Sequence, residues 1–108
     1  MSTERQTDVL DEVVRRLVDA FQPERIYLFG SRARGDHHED SDYDVLMVLR
    51  EPAVPTHERR VEAYRVLHGI GVSVDVLIWS RKQFDRQAPV ISSLPETVLY
   101  EGQLVYGS

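Results

Sequence analysis

Residues 29–48 read FGSRARGDHHEDSDYDVLMV. A short apolar strand ends at Gly30-Ser31, ten residues intervene, and Asp42-Tyr43-Asp44 opens a second apolar run. Glycine permits close approach of a backbone or ligand, and serine at a helix start offers a hydroxyl and an N–H to a phosphate. Side chains two apart on a strand share a face, so Asp42 and Asp44 stand side by side with Tyr43 opposite. Two carboxylates that close repel each other unless a cation neutralises them. Mg²⁺ takes hard oxygen ligands, commonly one or two carboxylates plus substrate phosphates. The stretch therefore points to metal-dependent phosphate chemistry.

On the N-terminal side, residues 1–7 are polar and are expected to fray. From Asp8 the residues Val9, Leu10, Val13, Val14, Leu17, Val18 and Phe21 form one helical stripe, with Thr7 or Asp8 as cap and Pro23 as stop. Residues 25–29, RIYLF, read as a strand. Between Gly30 and Ser41 a single helical turn after Ser31 is expected, then a loop. On the C-terminal side, Asp42–Leu49 is the second strand, apolar on both faces beyond its aspartates and so covered on both. The cover comes either from the chain's own helices or from a partner protein. Pro52 and Pro55 break the chain, and a helix is predicted from Thr56 to about His68, with Val61, Tyr64 and Leu67 inward and Gly69 or Gly71 ending it. Val72–Trp79 is a third strand. Ser80-Arg-Lys-Gln83 has capping-box spacing, and Ser93-Leu-Pro-Glu96 predicts a second short helix to Tyr100. Gln103–Tyr106 completes the chain as an edge strand.

Bringing Gly30-Ser31 beside Asp42 and Asp44 requires the first two strands to be antiparallel. A helical crossover makes the second and third parallel. Parallel neighbours start at the same edge, so Asp75, near the start of the third strand, faces Asp42 and Asp44. Three carboxylates gather at one corner of a small mixed sheet. A third carboxylate allows a second metal, one activating the attacking oxygen and the other stabilising the leaving pyrophosphate.

Composition bounds the alternatives. The chain has 108 residues, 42% hydrophobic and 29% charged, with a net charge of −5, which fits one globular domain. Without a Lys/Arg stripe, direct nucleic-acid binding is not expected. The thirteen basic residues include Lys82 as the sole lysine, and arginine suits bidentate phosphate contacts. Arg34, and to a lesser degree Arg32, can reach phosphates from the turn. There is no cysteine, hence no disulfide or thiolate chemistry. No secretory leader is visible and no apolar run approaches about 18 residues, so no membrane span is expected and the cytoplasm is the expected compartment. The His37-His38 pair lies in a hydrophilic loop and is not expected to bind zinc. Ser41 either orients the aspartate loop or caps its turn, and Trp79 and Tyr64 are expected to pack rather than stack on a base.

Gly-Ser, ten residues, then Asp-x-Asp resembles the signature of the nucleotidyltransferase superfamily typified by DNA polymerase beta. The fuller string GSRARG…SDYDVLMVL most resembles the minimal nucleotidyltransferase (MNT) domains of prokaryotes, with no departure at Gly30, Ser31, Asp42, Asp44 or Asp75. The resemblance covers essentially the whole chain. It implies an α+β (α/β two-layer) nucleotidyltransferase fold and a single domain over residues 1–108. Gly30 and Ser31 would hold the nucleotide phosphates. Asp42 and Asp44 would bind both Mg²⁺ ions, and Asp75 would complete the catalytic metal site and help deprotonate the incoming hydroxyl. The resemblance further implies an antitoxin that moves AMP from ATP to a tyrosine of a HEPN-domain ribonuclease toxin and so blocks it. Two alternatives stand beside that reading: a binding antitoxin that acts by occlusion, and a subunit of an antibiotic-type small-molecule nucleotidyltransferase.

Overall fold

The computed structural model describes residues 2–35, 42–50 and 56–107. Its elements are α1 (Ser2–Phe21), β1 (Arg25–Phe29), α2 (Ser31–Arg34), β2 (Tyr43–Leu49), α3 (Thr56–Val66), β3 (Val74–Ser80), α4 (Arg81–Gln87), α5 (Leu94–Glu101) and β4 (Gln103–Tyr106). The four strands form one mixed sheet in the order β3-β2-β1-β4. β1 is antiparallel to β2 and to β4, while β2 and β3 run parallel across the α3 crossover. Both predicted pairings, and the edge position of β4, are present.

The period of two along the strands separates two apolar clusters. Ile26, Leu28, Val45, Met47, Val76 and Ile78 face Val13, Leu17 and Phe21 of α1, Ala63 of α3 and Leu67 just beyond its end. Tyr27, Leu46 and Val48 face Phe84 of α4 and Val98 of α5. The doubly apolar β2 is thus covered on both faces by helices of its own chain. Trp79 packs against the second cluster, as expected.

Local chemistry sets the helix ends. Ser80 Oγ accepts the Gln83 N–H at 3.1 Å while the Ser80 N–H donates to Gln83 Oε1 at 3.3 Å, completing the predicted capping box. Ser93 Oγ accepts the Glu96 N–H at 3.2 Å and donates to the Gln87 carbonyl at 2.6 Å, fastening α5 to the end of α4. The end of α3 is capped from α1, because Arg16 Nη1 donates to the carbonyls of Val66 and His68 at 3.3 and 3.1 Å. Glu12 holds that guanidinium, its Oε1 accepting from Arg16 Nε at 2.9 Å.

Three expectations need correction. α1 begins at Ser2 rather than Asp8, so neither Thr7 nor Asp8 is its cap. β3 occupies Val74–Ser80 rather than Val72–Trp79, and its last residue doubles as the cap of α4. α3 buries Ala63 and Leu67, leaving Val61 and Tyr64 at 44% and 43% exposure. The small Ala63 lets the helix lie close to the sheet, and that rotation turns Val61 and Tyr64 outward while Leu67 stays buried as predicted. The expectations for His37, His38 and Ser41 fall outside the described residues.

Candidate active site

β1 ends where β2 begins. Phe29 is the register partner of Asp44, so the chain leaves β1 at Gly30 directly beside the Asp44 side chain. Gly30 has φ +76° and ψ −156°, a region open essentially to glycine alone. A Cβ built there would overlap Asp44 Oδ2 and lie 3.2 Å from its Cγ. The glycine is therefore needed for both its backbone angle and the space that the carboxylate fills. The Gly30 carbonyl accepts the N–H groups of Ala33 and Arg34 at 3.1 Å each, winding Ser31–Arg34 into the predicted turn. Gly35, at φ +86°, closes it by donating to the Ser31 carbonyl at 2.9 Å.

On the other side of β2, Asp44 is the register partner of Asp75. Gly30, Asp44 and Asp75 thus lie in a row across three neighbouring strands. Asp44 and Asp75 are half-buried, whereas Asp42 precedes β2 and is exposed. Tyr43 points into the core as expected, and the Arg32 guanidinium lies 3.9 Å from its ring centre. Burial raises the Asp44 carboxyl above its usual range, the negative charges of Asp75 and Asp42 raise it further, and Arg34 opposes them. Arg34 also forms an ion pair with Glu101 of α5 at 3.6 Å.

Among the described residues, no group of three or more His, Asp or Glu side chains converges closely enough to hold a metal ion. The three aspartates share one corner, and the charges of Asp75 and Asp42 both act on Asp44. Their chemistry fits a hard cation: every donor is a carboxylate oxygen, and burial with the charges of Asp75 and Asp42 raises Asp44 above its normal range.

One residue of this corner was not predicted. Tyr64 Oη donates to Asp75 Oδ1 at 3.1 Å. β3 is the outer strand of the sheet, so Tyr64 reaches Asp75 round that edge from α3. The signal was available in the spacing, since Tyr64 falls between the two buried positions Ala63 and Leu67, but an aromatic in an amphipathic helix reads first as core.

Comparison with known proteins agrees with this geometry. Residues 10–105 match the model of the nucleotidyltransferase domain family. Two candidate protein adenylyltransferases of Methanocaldococcus jannaschii are similar to the chain. One is 38% identical over 55 residues, covering 51% of this chain and 54% of the relative, so the match spans about half the length of that protein. The other is 30% identical over 96 residues, covering 84% of this chain and 93% of the relative. Among solved structures, a candidate nucleotidyltransferase from Sulfolobus solfataricus aligns over 98% of this chain and 84% of its own, with TM-score 0.69 and 26% identity. A toxin–antitoxin structure with AMP-PNP shares the fold over 91% of this chain and 73% of its own, with TM-score 0.68 and 21% identity. On the family match and the near-complete relative together, the chain belongs to the nucleotidyltransferase domain family.

Proposed function

We propose that residues 1–108 form one minimal nucleotidyltransferase domain that transfers AMP from ATP to a tyrosine of a HEPN-domain ribonuclease and thereby acts as its antitoxin. The observation that carries the chemistry is the row of Gly30, Asp44 and Asp75 across three strands, with Asp44 crowded by negative charge. The antitoxin role is supported by the fold shared with the toxin–antitoxin structure holding AMP-PNP and by the two adenylyltransferase relatives.

Each residue has a part in this reading. Gly30 turns the chain beside Asp44 and would let the backbone approach the nucleotide phosphates closely, and Ser31 would meet them with its hydroxyl and backbone N–H. Arg34, already acting on Asp44 from the end of α2, balances charge on the phosphate side. Asp42, Asp44 and Asp75 would hold two Mg²⁺ ions, and Asp75 takes the proton of the incoming hydroxyl. When bound, the metal supplies charge neutralisation for the phosphates and a lowered barrier to ionising that hydroxyl. The cytoplasm is where such a pair would meet, and among the described residues no helix is long and apolar enough to cross a membrane.

Neutralisation tests the role. The wild-type chain, given Mg²⁺ and ATP, is expected to silence its proposed HEPN-domain ribonuclease partner. Asp42→Asn and Asp44→Asn should bind the ribonuclease yet leave it active. Silencing by both variants would overturn transfer in favour of occlusion.

A further inference from the structure

We propose that Tyr64 is itself a nucleotidyl acceptor, so that without its partner the chain modifies its own Tyr64 hydroxyl. The inference rests on the reading above, in which Asp75 receives the proton of the attacking hydroxyl. One hydroxyl already donates into that carboxylate: Tyr64 Oη lies 3.1 Å from Asp75 Oδ1. It extends the row across the sheet. The phosphate turn at Gly30 follows the end of β1, Asp44 lies on β2 and Asp75 on β3, and the phenol donates to Asp75 from beside that outer strand. Donor phosphates at one end and an acceptor hydroxyl at the other is the order that nucleotidyl transfer requires.

Tyr64 differs from the other tyrosines in ways that fit this role. It is 43% exposed, because α3 packs through Ala63 and Leu67, so its ring is free of the core. Tyr27 is buried, stacked on Phe84, and its hydroxyl accepts from Arg25 at 3.0 Å. Tyr43 is buried in the core below Arg32. Tyr100 on α5 and Tyr106 on β4 at the opposite edge of the sheet are exposed as well, but the tyrosine hydroxyl that donates to Asp75 is that of Tyr64.

The step balances as written. The Tyr64 phenolic oxygen attacks the α-phosphorus of a nucleoside triphosphate, and its proton passes to Asp75. The bond from the α-phosphorus to the bridging oxygen breaks, and pyrophosphate leaves with that electron pair. The product is a phosphodiester between Tyr64 and the nucleoside. A nucleotide there fills the acceptor's place, so self-modification and transfer to a partner exclude each other.

The test incubates the full chain alone with Mg²⁺ and ATP, then digests it and maps the adduct by mass spectrometry. One AMP on the peptide containing Tyr64 is expected. The signal should fall at least about tenfold in Tyr64→Phe, a variant whose circular dichroism and melting show that it is folded. A parallel arm adds the partner ribonuclease to the wild-type chain. AMP on the ribonuclease with the Tyr64 peptide unmodified in both arms overturns self-modification and leaves transfer intact. AMP mapped to another residue of this chain overturns it too. No AMP on either protein overturns transfer, and self-modification with it.

Discussion

Gly30 concentrates two demands in one residue. Its positive φ belongs to a region that costs a side-chain-bearing residue about 1–3 kcal/mol, and the position of its missing Cβ is filled by the Asp44 carboxylate. Gly30→Ala is therefore expected to lower the melting temperature measurably and also to displace Asp44, abolishing nucleotidyl transfer even where the protein remains folded. A melt and a transfer assay on the same preparation check both. Asp44 has the opposite character. Its pKa is raised by burial and by Asp75 and Asp42, so the folded chain holds its proton to higher pH than the unfolded chain does. Stability then falls as pH rises from the ordinary carboxylate value through the raised one, and the ionised form opposes folding above it. In metal-free buffer Asp44→Asn should melt above wild type at neutral pH, with the gap closing as the pH is lowered to the ordinary carboxylate range. Mg²⁺ should narrow it by stabilising wild type alone. Scanning calorimetry with and without Mg²⁺ reads this out, and equal melting throughout would contradict the charge crowding. The meeting of Gly30, Asp44 and Asp75 was legible because the spacing and the strand context constrain one another. The hydrogen bond from Tyr64 to Asp75 was not, because it depends on which way α3 is turned.

The orientation of α3 is an element-scale property. The sequence reading turns Val61, Tyr64 and Leu67 inward, because bulk favours them over Ala63. Packing selects Ala63 with Leu67 instead, since Ala63 brings the helix against a sheet already filled by Val76 and Ile78. The end of α3 is tied to α1 through Arg16, with Glu12 as its anchor. The two arginines hydrogen-bonded to Glu12 hold its carboxyl down at about 2. Arg16→Ala should cost about 1–2 kcal/mol by freeing the carbonyls of Val66 and His68, measured by denaturant unfolding. Ser93→Ala should cost a similar amount, about 1 kcal/mol for a lost cap, because it removes both the α5 cap and the tie to Gln87. These caps were visible as Ser-x-x-Gln and Ser-x-x-Glu. The first turns of α1 were not, because their polar residues carry no periodic signal.

At the scale of the whole molecule, connection rules did most of the work. A meeting of Gly30 with Asp44 sets β1 against β2, a helical crossover sets β3 parallel to β2, and those two steps place Asp75 opposite Asp44. The two faces of β2 carry separate clusters, so the corner with the aspartates is positioned from both sides by α1 and α3 on one face and α4 and α5 on the other. The central claim is that this corner moves a nucleotidyl group onto a protein. It is tested most directly by the intact mass of the proposed HEPN-domain ribonuclease partner after incubation with the chain, Mg²⁺ and ATP, with Asp44→Asn in parallel. The account predicts a gain of one or more AMP units with wild type and none with the variant. An unchanged mass in a stable complex, or an equal gain with Asp44→Asn, would contradict it.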